Sequence, residues 1–249
     1  MEIIMKLLCI GNSFSQDATR YLHQIASCAG DTITAVNLYI GGCPLSRHYE
    51  NMTENKKDYS LEWNGESTGF FVSLQEALTA NEWDVITLQQ VSQESPDFAT
   101  YEPYLTALYK YVKELCPKAK ILIHQTWAYE EGSERLCTEL GYTHQDEMYR
   151  DLNAAYQRAA LAISADGIIP SGEAFQNLLS MGVPKVHRDT FHASLGLGRY
   201  TLGLLWYECL TGKNPEKNGF SAFDEPVSPD EIRLAKAAAH AAYLKARQY

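Results

Sequence analysis

Lys6-Leu7-Leu8-Cys9-Ile10-Gly11-Asn12-Ser13-Phe14-Ser15 is the stretch from which the rest of the chain can be read. Its apolar run stops at a glycine, which marks a buried strand and a tight turn. Residues 17–29 beyond it place Ala18, Tyr21, Leu22, Ile25 and Ala26 at helical spacing before Gly30, so the unit is strand, turn, helix. Working outward, 32–40 is a β-branched run ending at Gly41-Gly42, and 85–88, 121–123 and 167–170 are further short apolar strands. Between and after them, 70–80, 101–115, 148–164 and 195–210 carry helical spacing, and Ser228-Pro229-Asp230-Glu231 opens a last helix with a capping box. Strands alternating with helices predict an α/β fold, doubly wound on a parallel sheet of five strands. Residues 47–69 are a polar excursion whose structure the pattern does not give, and 130–145 reads as loop.

Composition narrows the function classes. With 249 residues, 45% of them hydrophobic, the chain can bury one large core, and no linker, repeat or low-complexity segment divides it; residues 1–249 read as a single domain. A formal net charge of -10 argues against nucleic acid or an anionic membrane surface as a partner. No apolar stretch approaches the roughly 20 residues of a membrane helix. The first residues lack a secretory h-region, so the expected compartment is the cytoplasm, or a secreted or periplasmic one if a signal peptide has been removed. The six cysteines are scattered without a CxxC pair and are expected to be reduced. No HExxH-like spacing occurs, so neither a metal nor a cofactor is expected, and no protein partner is indicated.

Open parallel sheets bind ligands beyond the C-terminal ends of their strands, where Gly11-Asn12-Ser13-Phe14-Ser15 lies. A serine hydroxyl on that turn would face the crevice, although serine before a helix also serves as a simple cap. Asp189-Thr190-Phe191-His192 follows the last strand. An acid three residues before a histidine can reach the imidazole Nδ1–H and leave Nε2 for a serine proton, or can simply cap an exposed turn. Together the two motifs nominate Ser13 as nucleophile, His192 as base and Asp189 as its orienting acid.

In these two motifs the chain resembles the SGNH/GDSL hydrolases. Gly11-Asn12-Ser13-Phe14-Ser15 is similar to their first block, with Asn12 in place of the usual aspartate, and Asp189 and His192 match their last. The resemblance implies a flavodoxin-like three-layer α/β/α fold and hydrolysis of a carboxylic ester, with O-acetyl groups on carbohydrate the foremost target. It also implies an oxyanion hole formed by the Ser13 N–H and a glycine N–H after the second strand, Gly42 rather than Gly41. The family's third block, Gly-x-Asn-Asp, is missing: the chain reads Leu88-Gln89-Gln90-Val91-Ser92-Gln93. Gln90, or else Gln89, is the expected replacement donor, with Ser92 a weaker one. Gln125, Trp127, Tyr129 and His187 are candidate substrate contacts, while His48, Asp17 and Arg188 lie near the motifs in sequence only. A non-catalytic protein using the crevice for a sugar or nucleotide is the rival reading, and a phosphate-binding flavodoxin-like protein would leave Asp189 and His192 unexplained.

Overall fold

The computed structural model describes residues 2–247. In chain order its first elements are β1 (Ile4–Gly11), α1 (Ser13–Thr19), α2 (Leu22–Cys28), β2 (Thr32–Tyr39), α3 (Leu45–Glu54), β3 (Tyr59–Trp63), β4 (Glu66–Val72) and α4 (Leu74–Thr79). Then come β5 (Val85–Leu88), α5 (Tyr104–Leu115), β6 (Lys120–Gln125), α6 (Gln145–Ala162), β7 (Gly167–Pro170), α7 (Ser171–Ser180), α8 (Leu197–Thr211) and α9 (Pro229–Ala246). The strands form one sheet in the order β4-β3-β2-β1-β5-β6-β7. The run from β2 to β7 is parallel throughout. Leu7, Leu8, Ile10, Ile86, Leu88 and Ile123 are all buried, as a parallel sheet covered on both faces requires.

The sheet has seven strands rather than five, because the polar excursion folds back as the antiparallel pair β3 and β4 on the free edge of β2. Its turn is Asn64-Gly65, both with positive φ, 53° and 84°, the dipeptide that type I′ hairpin turns favour. The second apolar stretch there also divides differently from the helical reading: β4 runs through Val72, and α4 starts only after Ser73, whose hydroxyl accepts from the Glu76 N–H. The helix after the first turn is two helices, and it begins at Ser13 instead of Asp17.

Helices α1, α2, α7, α8 and α9 pack together as one layer, while α3, α4 and α5 pack together apart from it, so the sheet is the middle of three layers. Counting parallel strands alone, the order is 2-1-3-4-5, and the connections reverse direction at β1. The C-terminal ends of β1, β2 and β5 converge beside that switch point, where a ligand crevice opens. No helix among the described residues is long and apolar enough to cross a membrane.

Candidate active site

The turn after β1 is built around two residues that are not themselves chemical. Gly11 admits no side chain, because a Cβ there would lie 2.3 Å from the Ser15 Oγ and 2.6 Å from the Gln89 Oε1. Asn12 caps α1: its Oδ1 accepts from the Phe14 N–H at 3.0 Å and from the Gln89 Nε2 at 2.8 Å. Its Nδ2 donates to the Cys43 carbonyl at 3.2 Å, tying the turn to the loop that follows Gly41-Gly42. An ionised aspartate only accepts, so it could not make the bond to the Cys43 carbonyl that the Asn12 amide makes. Ser15 is buried, with its hydroxyl on Asn37 and the Asn12 carbonyl. Ser13, at the first helical position, is left facing the crevice.

Opposite it, residues 186–194 form a short antiparallel hairpin held by Arg188 N–H to His192 O and Ser194 N–H to Val186 O. Its tip presents Asp189 and His192. The His192 Nε2 lies 2.9 Å from the Ser13 Oγ, and its Nδ1 lies 2.8 Å from the Asp189 Oδ2. The other carboxylate oxygen of Asp189 accepts from the Phe191 and His192 N–H groups. Partial burial would raise this carboxyl, but those bonds and the imidazole outweigh it and hold it down at about 2.

Asp17 and Arg188, neighbours of the motifs in sequence, also join them in space. Asp17 is fully buried on α1 and accepts from the Arg188 Nη1, the Arg199 Nε and the Ala193 N–H. One carboxylate thus clasps the helix that begins at Ser13 to the hairpin that carries His192.

Ser13 and His192 open on a cleft of about 500 Å³ whose wall includes Gly41, Gly42, Gln93, Arg135, Glu139 and Phe191. Gly42 has a positive φ of 60°, a conformation suited to glycine. Neither expected glutamine lines the cleft. Gln89 spans Asn12 and the Nδ1 of buried His124, and Gln90 spans Thr100 and the Leu45 and Val91 N–H groups. They are used because each sits at a strand end with buried backbone or capping groups to satisfy. Gln93, three residues on and exposed, is the amide that reaches the wall.

The four candidate substrate contacts are also placed elsewhere. Trp127 is fully buried, stacks on Phe14 with ring centroids 4.1 Å apart and donates to the Phe191 carbonyl, so it supports the site from behind. Tyr129 is buried with its hydroxyl 2.9 Å from the Ser92 Oγ. His187 is buried against the Ala128 carbonyl, and burial pushes its imidazole down to about 4. Gln125 faces a separate cavity of about 650 Å³ with Tyr149 and Glu173. Sequence spacing missed Arg135 and Glu139 because they stand on one π-helical turn inside the segment read as loop.

All six cysteines are free. Among the described residues, no group of three or more His, Cys, Asp or Glu side chains is arranged to hold a metal.

A family model described as a domain of unknown function, DUF4886, matches residues 6–242. The crystal structure of a DUF4886 family protein from Bacteroides uniformis ATCC 8492 is 35% identical, with 97% of this chain and 95% of that one covered at a TM-score of 0.91. More distant structures share the fold. A protein proposed to be an SGNH hydrolase, from Slackia heliotrinireducens, is 20% identical with a TM-score of 0.51, covering 95% of this chain and 98% of its own. LAE5, an α/β hydrolase from the metagenome of Lake Arreo, Spain, is 13% identical with a TM-score of 0.55, covering 85% of this chain and 97% of its own. No curated protein matches the chain. With a family model spanning nearly all of its length, the chain belongs to the DUF4886 family, on a fold shared with the SGNH/GDSL hydrolases.

Proposed function

We propose that the protein is a serine esterase that cleaves carboxylic esters through an acyl-enzyme. The observation that carries this reading is the continuous relay from the Ser13 Oγ to the His192 Nε2 at 2.9 Å, and from the His192 Nδ1 to the Asp189 Oδ2 at 2.8 Å, at the mouth of a cleft. Neutral His192 takes the Ser13 proton as the serine oxygen bonds to the ester carbonyl carbon, and Asp189, ionised throughout the neutral range, fixes the tautomer and stabilises the imidazolium. The tetrahedral oxyanion is received by the Ser13 and Gly42 N–H groups, with the Gln93 amide as a side-chain donor. His192 then passes its proton to the departing alcohol, and water repeats the sequence on the acyl-enzyme. Acetyl groups on carbohydrate hydroxyls are the foremost substrates.

A fluorophosphonate should label the wild type and not Ser13→Ala. On p-nitrophenyl acyl esters or acetylated sugars, Ser13→Ala or His192→Ala should lower kcat roughly 10³-fold while leaving the melting temperature in place. Retention of more than about a tenth of the wild-type rate by either variant would remove the triad.

A further inference from the structure

We infer that Arg135 selects esters whose alcohol portion carries a carboxylate, an inference that rests on the esterase reading above. Arg135 begins the π-helical turn Arg135–Glu139 on the cleft wall, a rare geometry that recurs at functional sites. Its guanidinium carbon lies 4.1 Å from the centroid of the Phe191 ring, and that ring lies 3.9 Å from the His192 ring. It is also close enough to favour the ionised form of the Tyr129 hydroxyl, which burial pushes up and which Ser92 fixes. The cation therefore rests against an aromatic face. Arg20, Arg47, Arg188 and Arg199 each pair with a carboxylate, whereas no such pair forms at Arg135 among the described residues.

A half-buried, oriented guanidinium with N–H groups to spare is a ready partner for a planar carboxylate, which it can engage through two parallel bonds. Its location decides which half of the ester bears the charge. His192 protonates the departing oxygen, so the alcohol must leave across the imidazole, and Phe191 with Arg135 above it flanks that ring. Gly41 and Gly42, which line the same cleft, carry the oxyanion in the esterase reading above. Glu139 stands one turn along the same rim, exposed to solvent, where water and salt screen its repulsion of an anion. The Asp189 carboxylate is turned to the His192 Nδ1 and to backbone N–H groups.

Two acetate esters of near-identical shape, para-acetoxybenzoate and para-acetoxybenzamide, provide the test. Wild type should favour the benzoate ester in kcat/KM by about tenfold or more, the scale of one charge-assisted pair. That ratio should fall to near one in Arg135→Gln, survive in part in Arg135→Lys and rise in Glu139→Gln, with melting curves verifying that each variant is folded. Equal turnover of both esters by the wild type, or an unchanged ratio in Arg135→Gln, overturns the proposal. Absence of turnover and of fluorophosphonate labelling together would instead remove the esterase reading. Calorimetry with the product alcohols then judges the anion site by itself. Binding of para-hydroxybenzoate over para-hydroxybenzamide that disappears in Arg135→Gln supports it, and indifference to the charge removes it.

Discussion

Asn12 and the three nearby glutamines show how far a side chain's identity can mislead until its partners are known. Glutamine has the donors that an oxyanion hole needs, yet both lone pairs and both N–H bonds of a buried amide are normally taken by its surroundings. Gln90 is fully buried, and its carbonyl accepts from the Leu45 N–H at 2.9 Å and the Val91 N–H at 2.8 Å. Gln90→Leu should therefore act on stability, at about 1–3 kcal/mol for each backbone group left without a partner. Gln93→Leu should do the reverse: kcat falls roughly 10²-fold, as when an oxyanion donor is lost, and the unfolding midpoint stays put. Chemical denaturation and ester kinetics on the two variants separate these outcomes. A Gln93→Leu enzyme with wild-type kcat would return the search to the backbone donors alone.

Among the elements, the decisive contact is that between α1 and the 186–194 hairpin, for neither element alone brings Ser13 to His192. Asp17 accepts from two arginines and a backbone N–H while shielded from water. Removing its charge takes away the carboxylate shared by Arg188 of the hairpin and Arg199 of α8, leaving Arg199 only Asp224. Asp17→Asn should cost about 3–5 kcal/mol, as breaking a buried pair does. It should also lower kcat more than it raises KM, since the Ser13 to His192 distance, rather than the cleft wall, is what loosens. An unfolding midpoint and a kcat both unchanged would show that the hairpin is held by its own hydrogen bonds and by Trp127 without help from this clasp.

For the whole molecule, three buried histidines set how stability responds to acid. Burial, helped by Arg47, pushes His48 down to about 3; burial takes His124 down to about 3; burial, against the bond to the Ala128 carbonyl, takes His187 down to about 4. An unfolded histidine gains its proton near pH 6.5, so each contributes stability that is complete above that pH and lost as pH falls from 6.5 toward 4. The slope is about 1.4 kcal/mol per pH unit for each such group. Asp189 and Asp224 have the carboxylate version of the same sign, since their folded values of about 2 keep their contribution intact until pH drops below about 4. Urea unfolding at pH 7 and pH 5 should thus show a clear loss at the lower pH, and His124→Gln should flatten it. Equal stability at the two values would mean that the buried rings take up protons in the folded state.

The alternation of apolar strand runs with amphipathic helices was enough to determine the parallel core, because that periodicity reports burial directly, and the three layers were what the family resemblance implied. The motifs likewise nominated Ser13, Asp189 and His192, each held by a local turn: Ser13 follows β1, and Asp189 and His192 share the tip of the 186–194 hairpin. The Asn64-Gly65 turn was legible too, but it was hidden within a polar stretch and its hairpin went unread. What only the tertiary structure decided was which polar groups remain free for a ligand. Gln89, Gln90, Trp127, Tyr129 and His187 are spent on neighbours distant in sequence, Asp17 is drawn to arginines more than 170 residues away, and Arg135 reaches the cleft on a single π turn. Hydrogen-bond satisfaction is a property of partners brought together by folding, and no spacing rule along the chain records it.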